Sequence, residues 1–474
     1  MKRTQLLYTT FLVFGFFMIG CEDFVEIDTP NFQITASAVY KDDETATAAV
    51  QGIYNQLYHN NTAFSNGWEN SVSVLAGLSG GLVSPRSITH MKYGPFAQHD
   101  IITLDNPAAS ANLNLWSSAY NIIYLANSVV EGLEQSGGVT EKTRNSLLGQ
   151  ALFIRAFSYF YLVNLYGDVP LLLSTDYNVN TIAPRTLADE VWEQIEADLD
   201  EAILWLKGAT GYTDGERTQV NVYAAMALQA RVCLYRKNWS KSEELSSLVI
   251  AQSGTYEILE DLNQVFLANS REALWQISPV KGSSIYPTNT NEASVFIIYS
   301  LFGRAFGNIE LKEDFISEFE AADKRLNDWV GKYSEGLYYP YKYKVRSIYR
   351  DVPEYSMVLR LAEQFLIRAE ARAHQNKLAT AIEDIDQIRQ RADLPSISKV
   401  YPGIDQEALL DTIMSERKKE LFAEWGHRWF DLKRTGKSPA IFRSNPLWQD
   451  TDVFYPIPEE ERMKNPNLSQ NKGY

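Results

Sequence analysis

The densest set of residues able to do chemistry is "SERKKELFAEWGHRWFDLKRTGK", residues 415–437. Here Glu416, Glu420 and Glu424 recur every four positions, with Arg417, Arg428 and Asp431 close by. Paired carboxylates can serve as acid and nucleophile on a glycosidic bond. Carboxylates at helical spacing share one face, however, and do not flank a cleft from two sides. The adjacent arginines would pair with them and lower their pKa, whereas a general acid needs the opposite shift. The expectation is a structural ion-pair network. Five histidines, His59, His90, His99, His374 and His427, are scattered. His90 and His99 share a loop, but no cysteine or patterned acid joins them, so no metal site is assigned. No nucleophile elbow, H-E-x-x-H pair or phosphate-binding glycine loop is read. The chain is therefore not read as an enzyme, and no catalytic residue or cofactor is named.

A different chemistry sits at the start. In "FLVFGFFMIGCEDF" the apolar run from Phe11 to Ile19 follows Lys2 and Arg3 and stops at Cys21. It is too short to span a bilayer, which takes about 20 apolar residues, and fits the apolar region of an export signal. Met18-Ile19-Gly20-Cys21 looks like a bacterial lipobox, in which the cysteine becomes the lipidated first residue. Residues 1–20 are thus expected to be a signal peptide, leaving a body over 21–474 on a lipid tether. Cys233, in "ALQARVCLYR", is expected to be a buried, inert thiol. No second hydrophobic segment is read as crossing a membrane. Removing residues 1–20 leaves 42 Lys+Arg against 59 Asp+Glu, a net −17. Such a surface repels phosphate backbones, which excludes nucleic acid as a partner.

Long amphipathic helices must carry these residues. "DETATAAVQGIYNQLY" places Ala46, Ala49, Val50, Ile53 and Leu57 on one face. "NLNLWSSAYNIIYLANSVVEGLEQ" and "RNSLLGQALFIRAFSYFYLVNLYGD" continue the pattern, and their aromatics, Trp116 included, read as core. Thr186 with Asp189, and Ser240 with Glu243, have the spacing of capping boxes. Ala230 and Ser242 are twelve positions apart, as are Ala369 and Ala381. That is the small-residue spacing of a tetratricopeptide helix pair, although a generic helical hairpin has the same signature. The helical frame is expected at about 40–58, 112–251 and 355–435. Two loop-rich insertions, about 60–110 and 254–352, interrupt it; "EALWQISPV" reads as a short strand and "GLYYPYKYKVRS" as another strand or a hairpin.

In sequence order, several segments resemble the SusD/RagB family of outer-membrane nutrient-binding lipoproteins from the Bacteroidetes. They are "CEDFVEIDTP", "LWSSAYNIIYLANSVV", "IRAFSYFYLVNLYGDVPLLL", "RTLADEVWEQIEADLDEAI", "LRLAEQFLIRAEARA", "ERKKELFAEWGHRWFDLKRTGK", "FYPIPEEE" and "NPNLSQNKGY". The resemblance implies a mainly α fold: a right-handed α-superhelix of tetratricopeptide-like helix pairs carrying a loop-rich ligand-binding region with a few short strands. It implies an outer-membrane lipoprotein facing the cell exterior, with the repeat face against a SusC-like TonB-dependent transporter. Such a protein captures a nutrient, typically an oligosaccharide, and hands it over for import.

Sugar sites need exposed aromatic rings on loops above a rigid scaffold. The first insertion offers Trp68, Arg86, Tyr93 and Phe96. The second offers Tyr286, Asn289, Asn291, Tyr299 and Phe302. For each, local packing is an equal alternative. Loop tryptophans are few, only Trp68 and Trp329, so Tyr and Phe would do the stacking, or the ligand is an oligopeptide. A lipid-anchored glycoside hydrolase and a scaffold for protein partners are the remaining alternatives.

Overall fold

The computed structural model describes residues 39–59, 61–101, 103–104, 106–279, 289–334, 336–346 and 353–474; residues 1–20, Cys21 and Tyr286 lie outside them. Helix α1 (Asp43–Leu57) begins where the Asp42 side chain accepts from the Thr45 amide, and it buries Ala46, Val50, Ile53 and Leu57. The first loop-rich stretch holds α2 (Val72–Ser79), strand β1 (Val83–Pro85) and the short α3 (Gly94–Gln98). Next comes α4 (Pro107–Gln135), opened by an Asn106 cap and a proline that needs no amide there. The Tyr40 ring lies over Gly132 on α4, where a Cβ would overlap it.

Helix α5 (Glu141–Tyr166) is apolar enough and long enough to cross a bilayer, contrary to the sequence expectation. Its residues from Gly149 onward are buried, because α4, α6 and α7 surround it. An all-round apolar helix is thus the centre of the core here. Helix α6 (Ala188–Trp205) is pinned to α5 by Arg155, which forks onto Asp198 at 2.8 and 2.6 Å. The expected capping boxes do not form. Leu187 occupies the cap of α6, and the Asp168 carboxylate, from the turn after α5, accepts from the Ala188 amide at 2.8 Å. A side chain distant in sequence thus replaces the local one.

Helices α7 (Val222–Tyr235) and α8 (Trp239–Ile250) form the first small-residue pair. Ala230 and Ser242 are both buried, and the Ser242 hydroxyl donates to the Ala230 carbonyl at 3.0 Å. Asn238 caps α8 in place of Ser240, leaving Glu243 to bind Arg372 and Lys377. Cys233 is buried in this pair, and burial pushes its thiol up to about 12.

The second loop-rich stretch holds β2 (Ala273–Ile277), α9 (Asn291–Phe296), β3 (Tyr299–Leu301), β4 (Arg304–Phe306), β5 (Ile309–Leu311), β6 (Val330–Ser334), β7 (Leu337–Pro340) and β8 (Ser356–Arg360). One antiparallel sheet has the order β1-β5-β7-β6, so the two insertions share a ladder. Strands β2 and β8 pair with each other, as do β3 and β4. Then α10 (Leu361–His374) and α11 (Leu378–Arg391) repeat the helix pair, with Ala369 and Ala381 buried between them. Stacked pairs of this kind form the superhelix. Helices α12 (Gln406–Glu420) and α13 (His427–Arg434) follow.

The conspicuous acids close the frame onto the insertions. Glu416 pairs with Arg325 at 2.8 Å and Arg389 at 2.6 Å. Glu420 accepts from Arg360, Arg391 and Arg325. Glu424 holds Arg360 at 2.9 Å and Lys342 at 2.5 Å, while Glu272 holds Arg360 and Arg391. Glu424 is not on the helix: α12 stops at Glu420, and Ala423, Trp425 and Gly426 all have positive φ, which turns the chain. A neighbouring set joins Arg417 and Arg434 to Asp431 and Glu370. Charges buried this deeply are tolerable because each is matched and hydrogen-bonded. At the C-terminus the Asn471 amide donates to the carbonyls of Tyr166 and Tyr455 at 2.9 and 2.7 Å, stitching the tail to α5.

Candidate functional site

The two insertions converge on a surface built around the β3–β4 hairpin. Its turn residues, Phe302 and Gly303, have φ of 50° and 73°. Two consecutive positive φ values make the tight turn that suits the strand twist, and glycine is the natural occupant of such positions. Phe302 holds the left-handed conformation at a cost of about 1 kcal/mol, yet its ring is 93% exposed. No packing repays that cost, which is the mark of a residue kept for contact with something else. Below the tip, Tyr299 and Phe306 face each other across the strands with ring centroids 5.8 Å apart. The Arg346 guanidinium lies 3.5 Å from the Tyr299 ring centroid. The hairpin therefore presents rings and a cation together.

Arg86 ties this hairpin to the first insertion. It donates through Nη1 to the carbonyls of Ala305 and Gly307 at 3.0 and 3.1 Å, and its own amide donates to Asn308. Beyond it, the exposed Ile88 and Met91 extend the apolar surface. Lys92 then pairs with Glu69 at 2.6 Å, which fixes the neighbouring Trp68. Trp68 is 43% exposed. Its amide donates to Asn66 Oδ1 at 2.9 Å, and Asn291 Nδ2 donates to the Asn66 carbonyl at 2.7 Å. The first insertion thus meets the hairpin through Arg86, and the same segment reaches Glu69, next to Trp68, through Lys92.

Among the residues singled out by composition, Trp68, Tyr299 and Phe302 supply rings to this surface, and Arg86 and Asn291 brace it. Tyr93, Phe96 and Asn289 do not reach it. Tyr93 is 1% exposed and Phe96 0%, because α3 is one short turn that faces both rings inward; Phe96 meets Tyr455 edge-on at 5.3 Å. Asn289 is 4% exposed, its carbonyl taken by the Tyr58 hydroxyl at 2.8 Å. Tyr286 is outside the described residues. Trp329 is wholly buried beside Lys342, Arg360 and Arg391. Phe306 and Arg346 were missed by composition; the alternation in "YSLFGRAF" around a glycine is the signal that marks Phe306.

Chemistry elsewhere is accounted for. Burial favours the neutral form of Glu420, but Arg391, Arg360 and Arg325 outweigh it and hold the carboxyl well below the usual range. Glu416, Glu424 and Asp431 are lowered in the same way by their arginines. None of the four can donate a proton near neutral pH. Residues 77–81, "GLSGG", do have nucleophile-elbow spacing, a pattern the sequence reading passed over. Ser79, however, is buried at the end of α2 and shares a 2.8 Å hydrogen bond with the Tyr455 hydroxyl. His90 stacks on Tyr93 at 4.4 Å, and His99 is packed by Trp429, Phe442 and Trp448. Among the described residues no three His, Cys, Asp or Glu side chains gather as metal ligands. A recess of about 580 Å³ on the helical frame, beside Trp239 and His374, has its Arg434 and Lys437 already paired to Glu370 and Asp411.

Comparison with known proteins agrees with this architecture. The family model described as "SusD family" matches residues 321–474, and one described as "Starch-binding associating with outer membrane" matches residues 81–234. The chain is similar to "SusD-like protein P25" of Formosa agariphila, 25% identical with all of both chains covered. It is 24% identical to "Starch-binding protein SusD" of Bacteroides thetaiotaomicron over 72% of this chain and 75% of that protein. Among solved structures, a SusD superfamily protein from Bacteroides vulgatus superposes with a TM-score of 0.75 at 20% identity, covering 92% of this chain and all of that one. A "Laminarin binding SusD-like protein" superposes at 0.72 with 22% identity, again over 92% of this chain and all of the other. The two family models, over residues 81–234 and 321–474, together with the SusD-like relatives, support the SusD/RagB family for this chain; the solved structures share its fold.

Proposed function

We propose that this protein is a cell-surface lipoprotein that captures a glycan and delivers it to a SusC-like TonB-dependent outer-membrane transporter, without catalysing a reaction on it. The observation that carries this reading is the set of exposed Trp68, Phe302 and Phe306 with the half-buried Tyr299, held by Arg86 and Asn291 on an otherwise tightly packed helical body. Aromatic faces stack on the C–H faces of sugar rings, and Arg346 beside Tyr299 offers donors to hydroxyls. In this reading residues 1–20 are the export signal and the lipidated Cys21 is the tether. The family model described as starch-binding and outer-membrane-associated, and the two relatives named for starch and laminarin, support a glycan as the ligand.

The β3–β4 hairpin favours a second reading, an oligopeptide. Among the described residues these strands pair only with each other, leaving edges to which an extended peptide could add. Affinity electrophoresis through a polysaccharide panel that includes starch and laminarin separates the two. Retention of the wild type, weakened at least ten-fold by Trp68→Ala or Tyr299→Ala, is expected. Passage through every gel without retardation would remove the glycan, and release of sugar products would restore an enzyme.

A further inference from the structure

Directly under the exposed Trp68 lies an acid with no counter-ion. Glu292, on α9, is buried, and its carboxyl fills the place that a side chain at Gly67 would take. Gly67 has φ of 72°, so the backbone just before Trp68 is bent over this carboxyl. One oxygen accepts from the Ser356 hydroxyl, and the other, Oε2, has no hydrogen-bond partner. No lysine, arginine or histidine among the described residues pairs with it. The surrounding charges are engaged elsewhere. Glu69, on the loop, is bound to Lys92. Glu354 accepts from the amides of Lys344 and Val345 at 2.6 and 3.1 Å, and Lys344 Nζ donates to the Asp328 and Tyr341 carbonyls. Glu424 is saturated by Arg360 and Lys342. The Tyr343 hydroxyl accepts from the Met357 amide at 2.8 Å.

We infer that Glu292 is the positioning residue of the Trp68 ring, supporting the Gly67–Trp68 backbone as a neutral acid and releasing it when the carboxyl ionises. The Trp68 side of the surface would then hold ligand at mildly acidic pH and loosen as pH rises through neutral, a consequence that rests on the capture role proposed above. Three observations combine here. A carboxylate at this position would be desolvated with no cation beside it, only the Ser356 hydroxyl and its own backbone amide as donors, which disfavours the ionised form. Its exit is through the loop it supports. The junction also holds unsatisfied polar atoms: Asn70 Oδ1, Ser71 Oγ and both side-chain amide atoms of Asn289 are buried without partners, which lowers the cost of opening it. Consistent with the geometry, burial, with a smaller push from Glu354, raises the Glu292 carboxyl to about 7 against the pull of Ser356 and of its own backbone amide.

The test reads Trp68 without any ligand. In the full chain labelled with fluorotryptophan, the Trp68 ¹⁹F resonance is assigned by its loss in Trp68→Phe and followed from pH 5.5 to 9. It should titrate with a midpoint near neutral, become flat in Glu292→Gln, and move to a higher midpoint in Ser356→Ala, which removes the one donor to the carboxylate. His59→Gln, at an exposed imidazole on the same segment, should leave the midpoint in place. A flat Trp68 resonance in the wild type, or one still titrating in Glu292→Gln, would overturn the assignment. Retention on whichever polysaccharide holds the wild type at pH 6 should weaken about ten-fold by pH 8, following the neutral fraction of an acid of that strength, and stay constant in Glu292→Gln. Titration of Trp68 with retention unchanged by pH would overturn the coupling to capture. Titration with no polysaccharide retained at any pH would leave the positioning role standing and defeat the capture reading instead.

Discussion

Arg360 meets Glu420 twice, donating through Nη1 to Oε1 at 2.6 Å and through Nη2 to the backbone carbonyl at 2.8 Å. The arginine ends β8, which pairs with β2 of the second insertion, and the glutamate ends α12 of the helical frame. This pair therefore joins the loop-rich part to the helical frame. Removing one partner leaves three guanidinium groups without their shared anion. Glu420→Ala should lower stability by about 3–5 kcal/mol, read as a shift in the urea midpoint, and a loss under about 1 kcal/mol would show that the cluster is dispensable.

Acid should unlock the same cluster. Arginine neighbours hold Glu416, Glu420, Glu424 and Asp431 below the ordinary carboxylate range, against the opposing effect of burial. Their depressed values contribute stability that is fully present above the unfolded-state pKa, near 4.5 for Glu and 3.8 for Asp, and lost as pH falls below it. Urea midpoints measured from pH 6 down to pH 3 should fall steeply below about pH 4.5. A midpoint that holds constant to pH 3 would contradict the depressed values.

Phe302 separates binding from folding. Its ring touches solvent almost everywhere and sits at a turn, so Phe302→Ala should change stability by no more than about 0.5 kcal/mol. Phe302→Gly should stabilise by up to about 1 kcal/mol, because glycine accepts positive φ without strain. Both variants should lose retention on the polysaccharide that holds the wild type. Full retention by both would take the hairpin tip out of the site.

Cys21→Ala should abolish incorporation of radiolabelled palmitate and move the protein from the membrane fraction to the soluble one. Membrane retention of the unlabelled variant would show that something other than acylation anchors it.

The helical frame was legible because its information is periodic and local. Ala46, Val50, Ile53 and Leu57 declare one face of α1, and the twelve-residue spacing of Ala230 and Ser242 declares a close helix pair. The spacing of Glu416 and Glu420 likewise announced a charged structural face. What stayed hidden is whatever depends on distant partners. Nothing near Asp168 shows that it caps α6, and nothing near Glu420 names Arg325, Arg360 or Arg391 as its counter-ions. Composition pointed to two insertions but could not tell their buried residues from their exposed ones. Tyr93 and Trp68 look equally fit as sugar platforms until one knows that a single turn of helix points Tyr93 at the core.

The buried charge cluster also dictates an order of events during synthesis. Arg325, Arg360, Arg389 and Arg391 are all made before the carboxylates of Glu416, Glu420 and Glu424 that neutralise them. A chain cut short before residue 416 has only Asp323, Glu272 and Glu320 to set against these four guanidinium groups where its interior should close. The cluster that joins the loops to the frame is therefore completed only when the last tenth or so of the polypeptide arrives.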